Sequence, residues 1–355
     1  MAEIEVFSMP YNARGNPYFL LWRRALEAHR GEAVLREVPR QSVFLLLLQH
    51  PWTSPRRILC IHWPTVLYGS RYALRSILRL CVNIPTLFAL KALFGFKIVW
   101  VLHNAREHDY PHPRIDRLGR FLVALAADGL VAQQASTAKT CEILYPRKKV
   151  AYIPHSNYGS FFGPLAQRDP ALRERLGFAS GDIVLAALGA VRPYKKIERI
   201  FEAMRAAGAD LDPRIRLWIA GGGDEGYLQK LKALAADVPG TVFGDAFIPD
   251  DRMASYAACA DYAVFYFDDS ELTSGSIQLS LSLGLPVIAR DIPGAEQVRH
   301  GRNGYVFRDV QDLGALLRAL PGLPVPSQEA VAASIAPHTW ESAAQKHIAL
   351  WKALM

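Results

Sequence analysis

Short apolar runs alternate with helical patterns along the whole 355-residue chain. In the first half the runs are EIEVFSM, AVLREV, ILCIHW, KIVWVLHN, GLVAQQ and KVAYIPH, and in the second half they are IVLAALGAV, IRLWIAGGG, TVFGDAF, YAVFYF and LPVIARD. Segments of helical period, such as RIDRLGRFLVALAA, lie between them. Strands that alternate with helices form parallel sheets covered by helices on both faces. The sequence therefore predicts an α/β fold with two successive, doubly wound, Rossmann-like domains.

The chain length suits two domains rather than one. We expect a first domain over residues 1–155 and a second over residues 173–337, with the polar segment 156–172 as the linker. The last segment, TWESAAQKHIALWKALM, predicts a helix within residues 338–355 that crosses back to the first domain. Two facing domains of this kind leave a cleft between the carboxyl ends of their strands, where open α/β sheets bind ligands.

Charge is distributed unevenly between the two halves. Residues 1–155 contain 21 Lys and Arg against 10 Asp and Glu, whereas the net charge of the whole chain is +8. No acidic residue occurs in residues 38–106, which include SRYALRSILRLCVNIPTLFALKALFGFK. Within that quoted segment the longest uncharged run, Leu80 to Leu90, has eleven residues, and a membrane span needs about 20. We therefore expect residues 56–97 to lean on an anionic membrane surface without crossing it.

Other features limit the class of protein. The four cysteines are scattered without metal-ligand spacing, which is typical of reduced thiols in the cytoplasm. The N-terminal segment has no signal-peptide pattern. No nucleic-acid-binding motif accompanies the basic half, so no nucleic-acid partner is expected. The adjacent acidic pairs Asp250-Asp251 and Asp268-Asp269 do not form an Asp-x-Asp box, so we expect neither a metal nor a cofactor.

The second half contains a candidate anion site. The turn after the run IVLAALGAV supplies Arg192, Lys195 and Lys196, and a glycine triplet follows the next run. Farther along, Glu271 precedes a run of small residues that opens a helix: Thr273, Ser274, Gly275 and Ser276. The N–H groups at a helix start, together with nearby cations, bind anions such as diphosphates. Neither a GxxxxGK[ST] loop nor a GxGxxG fingerprint is present, which disfavours P-loop enzymes and dehydrogenases.

These motifs carry a resemblance. The whole chain resembles the two-domain GT-B glycosyltransferases, and LGAVRPYKKIERIFEA is similar to their diphosphate-binding strand, loop and helix. The resemblance implies that Lys195 grips the diphosphate and that Arg192 substitutes for an arginine that is Ala190 here. The family's glutamate pair would fall on Glu271 and Leu279, so the second glutamate, which holds the ribose, is missing. Gln278 or Ser280 could replace it.

A narrower resemblance comes from GNPYFLLWRRAL, CIHWPTVLY, WVLHNAREHD, RPYKKIE and TSGSIQLSLSLGLPVIA. Together they look like the bacterial β-mannosyltransferases of xanthan-type exopolysaccharide assembly. That resemblance implies a donor, GDP-mannose, inversion at the anomeric carbon, and a polyprenyl-diphosphate-linked oligosaccharide as acceptor. The GT-B base pocket would include Phe247 and Ile248.

An inverting transfer needs a general base, which we expect in the first domain. The segment VWVLHNAREHDY ends a strand and offers Asp109, assisted by His108, with Glu107 as the next candidate. Contacts to the acceptor or the sugar are expected from residues at the strand ends and in the opening loop: Asn16, Tyr18, His62, Trp63, His103 and Asn104. The same loop offers Asn12, Arg14 and Gly15. Structural roles compete for these residues: core packing for Trp63, a hydrogen-bonded strand end for His103, and a plain turn for the loop.

The sequence thus predicts a metal-independent glycosyltransferase at the cytoplasmic face of a bacterial plasma membrane. A retaining transferase that uses a UDP-sugar is one alternative, in which Glu271 and His103 matter more than Asp109. A sugar-nucleotide-binding protein without catalytic activity is another, because a fold does not fix a function.

Overall fold

A computed structural model describes residues 3–10, 16–38, 42–48 and 54–355. The chain forms two compact units. The first comprises Met1–His155, Ser270–Thr273 and His338–Met355, and the second comprises Ser156–Asp269 and Ser274–Pro337. Residues 156–172, interpreted above as a linker, thus belong to the second unit.

The first unit is built on a six-stranded parallel sheet with the order β2-β1-β3-β4-β5-β6. Its strands are β1 (Ile4–Met9), β2 (Ala33–Glu37), β3 (Arg57–Ile61), β4 (Lys97–Leu102), β5 (Gly129–Ala132) and β6 (Lys149–Tyr152). Its helices are α1 (Pro17–Glu27), α2 (Val43–Leu48), α3 (Thr65–Tyr68), α4 (Ala73–Phe94), α5 (Pro113–Ala126) and α6 (Ala135–Leu144), followed at the C-terminus by α15 (Trp340–Leu354).

The helix ends of the first unit follow their sequence signals. Asn16 caps α1 by accepting a hydrogen bond from the backbone N–H of Tyr18, and Thr339 caps α15 in the same manner. Helix α4 ends at Gly95, whose φ of 67° is a left-handed conformation that glycine adopts without strain. Helix α15 packs against α1 and completes the core with the fully buried Trp351.

The second unit contains another six-stranded parallel sheet, with the order β12-β11-β10-β7-β8-β9. Its strands are β7 (Ile183–Leu188), β8 (Ile215–Ala220), β9 (Thr241–Phe243), β10 (Tyr262–Phe265), β11 (Val287–Arg290) and β12 (Gly304–Phe307). Its helices are α7 (Gly159–Phe162), α8 (Pro170–Arg175), α9 (Ile197–Ala207), α10 (Glu225–Ala235), α11 (Met253–Ala257), α12 (Gly275–Ser282), α13 (Val310–Ala319) and α14 (Gln328–Ala333). Apolar clusters on both faces of this sheet form its core.

The predicted α/β class with two parallel sheets is confirmed. All eleven predicted strands are present, and the structure adds β12, which the sequence argument missed. This strand is only four residues long, and Gly304 lets its backbone approach β11: a Cβ at this position would lie 1.9 Å from the carbonyl oxygen of Val287.

Among the described residues, α4 is one helix whose length and composition would allow it to cross a membrane. Its best window has a mean hydropathy of 1.6, and 33% of that window is buried. The sequence argument against a span counted the eleven-residue uncharged run, whereas the helix itself has 22 residues. One side of α4 packs on the first unit through Leu80, Leu87 and Leu90.

Candidate functional site

The turn between β7 and α9 places Lys195 inside the second unit. The side chain of Lys195 is buried, and its Nζ donates a hydrogen bond of 3.1 Å to the carbonyl oxygen of Leu188 at the end of β7. The same ammonium group lies 5.8 Å from the ring centre of Phe265. Lys196 follows with a φ of 50°, an uncommon conformation for a residue other than glycine. The turn thus fixes one cation at the carboxyl edge of the sheet.

The glycine triplet lets the loop after β8 lie directly against this turn. A Cβ on Gly221 would approach the carbonyl oxygen of Gly189 to 2.1 Å, and one on Gly223 would approach that of Val191 to 2.3 Å. The backbone N–H of Val191 donates to the carbonyl oxygen of Gly222 at 2.8 Å. Only glycine allows this close approach, so the triplet shapes the surroundings of Lys195.

The start of α12 follows β10, the strand next to β7 in the sheet. Ser274 caps this helix by accepting a hydrogen bond of 3.3 Å from the N–H of Ile277. Gly275 and Ser276 form its first turn, which therefore has no bulky side chain. The three loops after β10, β7 and β8 end at the same edge of the sheet, and this edge combines a buried cation with an open helix start.

The remaining donor-site candidates of the second unit differ in exposure. Arg192 is exposed, and so is Phe247, whereas Ile248 lies in the core. Gln278 is fully buried and hydrogen bonded to Gln297, and Ser280 donates to the carbonyl oxygen of Ser276. The two residues considered as ribose contacts therefore point into the unit.

In the first unit, a buried ion pair supports the loop after β4. Asp116 of α5 accepts hydrogen bonds from Arg120 Nε (2.9 Å), from the hydroxyl of Tyr68 (2.7 Å) and from the backbone N–H of Glu107 (3.1 Å). Arg120 also donates to the backbone and side-chain oxygens of Asn104 at 3.0 and 3.2 Å. The sequence argument missed Asp116 and Arg120, although their spacing of four residues within a helix is a recognisable signal.

The three candidate bases in this loop have different surroundings. Asp109 is exposed. Glu107 accepts a hydrogen bond of 3.1 Å from the hydroxyl of Thr65. His108 makes hydrogen bonds through both ring nitrogens, Nε2 to the carboxylate of Glu271 at 3.0 Å and Nδ1 to the hydroxyl of Ser270 at 3.1 Å. Both of His108's ring nitrogens are therefore already occupied.

Glu271 belongs to a short segment, Ser270–Thr273, that packs with the first unit. Its backbone pairs with the loop after β4: the N–H of Ala105 donates to the carbonyl oxygen of Ser270 at 2.8 Å, and that of Thr273 donates to His103 at 3.1 Å. Asn104 and Glu271 form an antiparallel bridge. Glu271 and Thr273, predicted as donor contacts, thus lie beside the predicted catalytic loop.

Aromatic rings and histidines surround the carboxyl ends of β3 and β4. His62 Nδ1 and His103 Nε2 are 3.1 Å apart, and Trp63 stacks on His103 with 4.8 Å between ring centres. Tyr18 packs edge-on against both histidines. Burial lowers the pKa of His103 to about 3 and holds the pKa of His62 well below its usual range, so both rings are neutral. Tyr18 and His62 are buried, whereas Trp63 and His103 are partly exposed.

Of the other first-unit candidates, Asn16 is the cap of α1 and Asn104 is buried in the Arg120 network. Asn12, Arg14 and Gly15 lie outside the described residues. Within the described ranges no three His, Cys, Asp or Glu side chains are grouped as a metal site would require.

Part of the second unit is similar to a known protein family. Residues 182–321, which run from β7 to the end of α13, match the family "Glycosyl transferases group 1". A crystal structure of Anabaena Alr3699/HepE in complex with UDP superposes on 99% of the chain, and on 100% of its own, with a TM-score of 0.67 at 15% identity. The fold is GT-B. The family match covers 140 of the 355 residues and agrees with the predicted enzyme class, a glycosyltransferase.

The curated relatives differ from one another in the activities for which they are named. A D-inositol 3-phosphate glycosyltransferase of Nocardia farcinica is 30% identical over 232 residues, which cover 59% of this chain and 49% of the relative. A GDP-mannose:glycolipid 4-beta-D-mannosyltransferase of Xanthomonas campestris pv. campestris is 24% identical over 233 residues, which cover 65% and 60%. The chain spans about half the length of the inositol-phosphate relatives it matches. Their higher identity means that the narrower resemblance to mannosyltransferases is not established.

Proposed function

We propose that this GT-B protein transfers a sugar from a nucleoside diphosphate sugar to a lipid-linked glycan. The observation that carries the proposal is the edge of the second sheet, where buried Lys195 and the helix start at Ser274 follow neighbouring strands. A buried ammonium group and backbone N–H groups stabilise the negative charge that grows on a departing diphosphate. This chemistry needs no metal ion, and the proposal includes none.

For the donor we favour GDP-mannose. The support is the resemblance to the xanthan-type β-mannosyltransferases and the Xanthomonas relative that is named for this donor. A UDP-sugar is the second candidate, favoured by the structural neighbour solved with UDP. Leu279 occupies the position of the family's second glutamate and packs against the core, so ribose recognition differs from the family pattern in either case.

For the base we favour Asp109. In an inverting transfer the acceptor hydroxyl oxygen forms a bond to the anomeric carbon, the bond from that carbon to the diphosphate breaks, and a base takes the hydroxyl proton. Asp109 is the exposed carboxylate of the loop, whereas Glu107 already accepts a hydrogen bond and both ring nitrogens of His108 are engaged. His108 therefore serves this loop as a positioning residue.

For the acceptor we favour a polyprenyl-diphosphate-linked oligosaccharide of exopolysaccharide assembly, reached at the cytoplasmic face of the plasma membrane through the basic residues 56–97. Trp63 and His103, which are partly exposed, would contact the sugar, and the buried Tyr18 and His62 would hold them in place. An indole ring next to polar groups is a common platform for sugar rings.

A thermal-shift panel of GDP, UDP, ADP, dTDP and CDP tests the donor site. A nucleotide at a hundred times its Kd adds about 2.7 kcal/mol of stability. We expect GDP to stabilise the protein and Lys195→Ala to abolish the shift, while the exposed Lys232→Ala keeps it. If UDP alone stabilises the protein, the donor is reassigned. If no nucleotide does, the anion site and the proposed function are wrong.

Turnover then separates catalysis from binding. With a donor that shifts the melting temperature, Asp109→Asn should abolish sugar transfer and keep nucleotide affinity. Unchanged transfer in Asp109→Asn would refute its role as the base. A protein that binds nucleotides but transfers no sugar to lipid-linked glycans in its own membrane extract would support the alternative of a binding protein.

A further inference from the structure

The outer side of α4 is apolar, whereas the solvent-facing side of a surface helix is usually polar. Its large exposed apolar side chains are Leu74, Ile77, Leu78, Val82, Phe88 and Leu93, and Leu78 is 58% exposed. The charged residues on this side are Arg71, just before the helix, and Arg75 in its first turn. An exposed apolar stripe of this length normally marks a surface that binds a partner.

Helix α5 packs beside α4 and repeats the pattern. Its exposed arginines, Arg114 and Arg117, lie in the first turns, and Leu118, Phe121 and Leu125 follow on the outside. Within these two helices, both described in full, the one acidic residue is Asp116, which is buried and paired with Arg120. We call these outer sides of α4 and α5 the α4–α5 face.

Polar anchors hold α4 against the first unit along its length. Arg79 donates to the carbonyl oxygens of Gly69 and Val66 at 2.7 and 2.8 Å, and Asn83 donates to that of Leu67 at 2.5 Å. Near the other end, Lys91 pairs with Asp128 at 3.0 Å. A helix that crossed the bilayer would have to give up these bonds, so α4 stays on its sheet and exposes its apolar side from there.

We propose that the α4–α5 face docks in the plane of an anionic lipid bilayer. Its apolar side chains enter the interfacial region, and its arginines contact anionic head groups, as in amphipathic helices that lie on membranes. A second copy of this chain fits less well, because its matching face has four arginines and no exposed acid that could pair with the four arginines of the first copy.

The arginine end of the face has a definite place in the unit. Helices α4 and α5 begin after β3 and β4, so their first turns lie at the carboxyl edge of the sheet, where the loop with His103 and Asp109 also begins. Head groups bound there would lie level with the candidate acceptor residues. This part of the inference rests on the proposed function, because a lipid-linked acceptor is held at the depth of the lipid head groups.

Vesicle sedimentation with the full chain tests the proposal. Vesicles of phosphatidylcholine with 30% phosphatidylglycerol are compared with phosphatidylcholine alone, at low and high salt. We expect binding that needs the anionic lipid and weakens with salt. Leu78→Glu and Phe121→Glu should each weaken vesicle binding by about tenfold. Arg75→Glu and Arg117→Glu should each weaken vesicle binding by about fivefold. Val325→Glu is the matched control, because Val325 is 61% exposed but belongs to the second unit.

Four results would overturn the proposal. The first is that the protein does not bind anionic vesicles, and the second is that Leu78→Glu binds them as well as the control does. The third is a dimer in solution that Leu78→Glu dissociates. The fourth is that the protein stays in cell membranes after an alkaline carbonate wash, which would indicate that α4 spans the bilayer. The nucleotide thermal shift of Leu78→Glu keeps the two proposals apart. A normal shift with lost vesicle binding supports both, whereas vesicle binding by a protein that responds to no nucleotide refutes the donor site alone.

Discussion

Buried histidines should make the first unit sensitive to mild acid. His347 of α15 is 1% exposed, its Nδ1 donates to the carbonyl oxygen of Ala343 at 2.8 Å, and its Nε2 has no hydrogen-bond partner among the described residues. Trp22 and Trp351 pack against its ring. Protonation would create an unpaired cation in this apolar surrounding, and burial therefore lowers the pKa of His347 to about 4.

Proton linkage gives the direction and the size of the change in stability with pH. The unfolded chain binds a proton near pH 6.5, whereas folded His347 stays neutral down to about pH 4, so stability is lost as the pH falls through this window. Between pH 7 and pH 5 the loss from His347 is about 2 kcal/mol. His103, whose pKa is about 3, adds a similar loss, so the two together remove about 4 kcal/mol. Domains are typically stable by roughly 5–15 kcal/mol, so this loss is large.

Urea unfolding at pH 7, 6 and 5, followed by tryptophan fluorescence, measures this loss. Six of the seven tryptophans fall within the sequence ranges of the first unit, so the signal reports mainly on it. His347→Gln cannot take up the proton, and its free energy of unfolding should fall by about 2 kcal/mol less than that of the wild type. The exposed His300→Gln is the control and should behave like the wild type. A wild-type loss below about 1 kcal/mol, or an equal loss in His347→Gln, would refute the reasoning.

Three other substitutions test the supports of the candidate site. Gly223→Ala should destabilise the second unit by roughly 1–3 kcal/mol in chemical denaturation, because the added Cβ would overlap a backbone oxygen. Gly181→Ala is the control and should have no such effect, because the space around Gly181 is open, and equal effects of the two substitutions would contradict the packing argument. Asp116→Ala should cost about 3–5 kcal/mol, because Arg120 is left buried without its carboxylate, and a smaller loss in thermal unfolding would show that water reaches the guanidinium. His108→Ala should lower kcat by up to about a hundredfold while nucleotide affinity is unchanged, because the ring positions the loop, and an unchanged kcat would rule this out.

Local patterns predicted the sheets well because each strand is a short apolar run between turn signals. Strand β12 was missed because its four residues, which begin with glycine, resemble a turn. The position of Lys195 after a strand end was predictable because its strand, turn and helix are contiguous in the sequence. The exposed side of α4 was not predictable, since a hydropathy pattern does not tell which apolar residues of a helix face the core.

Contacts between distant parts of the chain were beyond prediction from a single sequence. His108 and Glu271 are 163 residues apart, and they meet because a four-residue segment of the chain packs beside the loop after β4. The sequence argument placed His108 beside Asp109 as an assisting group, and the structure shows both of its ring nitrogens in hydrogen bonds. Similarly, His347 lies far in sequence from Trp22, the ring against which it packs.

The order in which the chain is synthesised gives the C-terminal helix a special importance. Trp340, His347 and Trp351 complete the core of the unit whose first strand begins at Ile4, so the unit that leaves the ribosome first is the last to be completed. Until α15 is made, α1 lacks the helix that packs against it, whereas the second unit is already complete at Pro337. A premature stop within codons 340–355 would therefore damage the unit that is made first and leave the second unit intact.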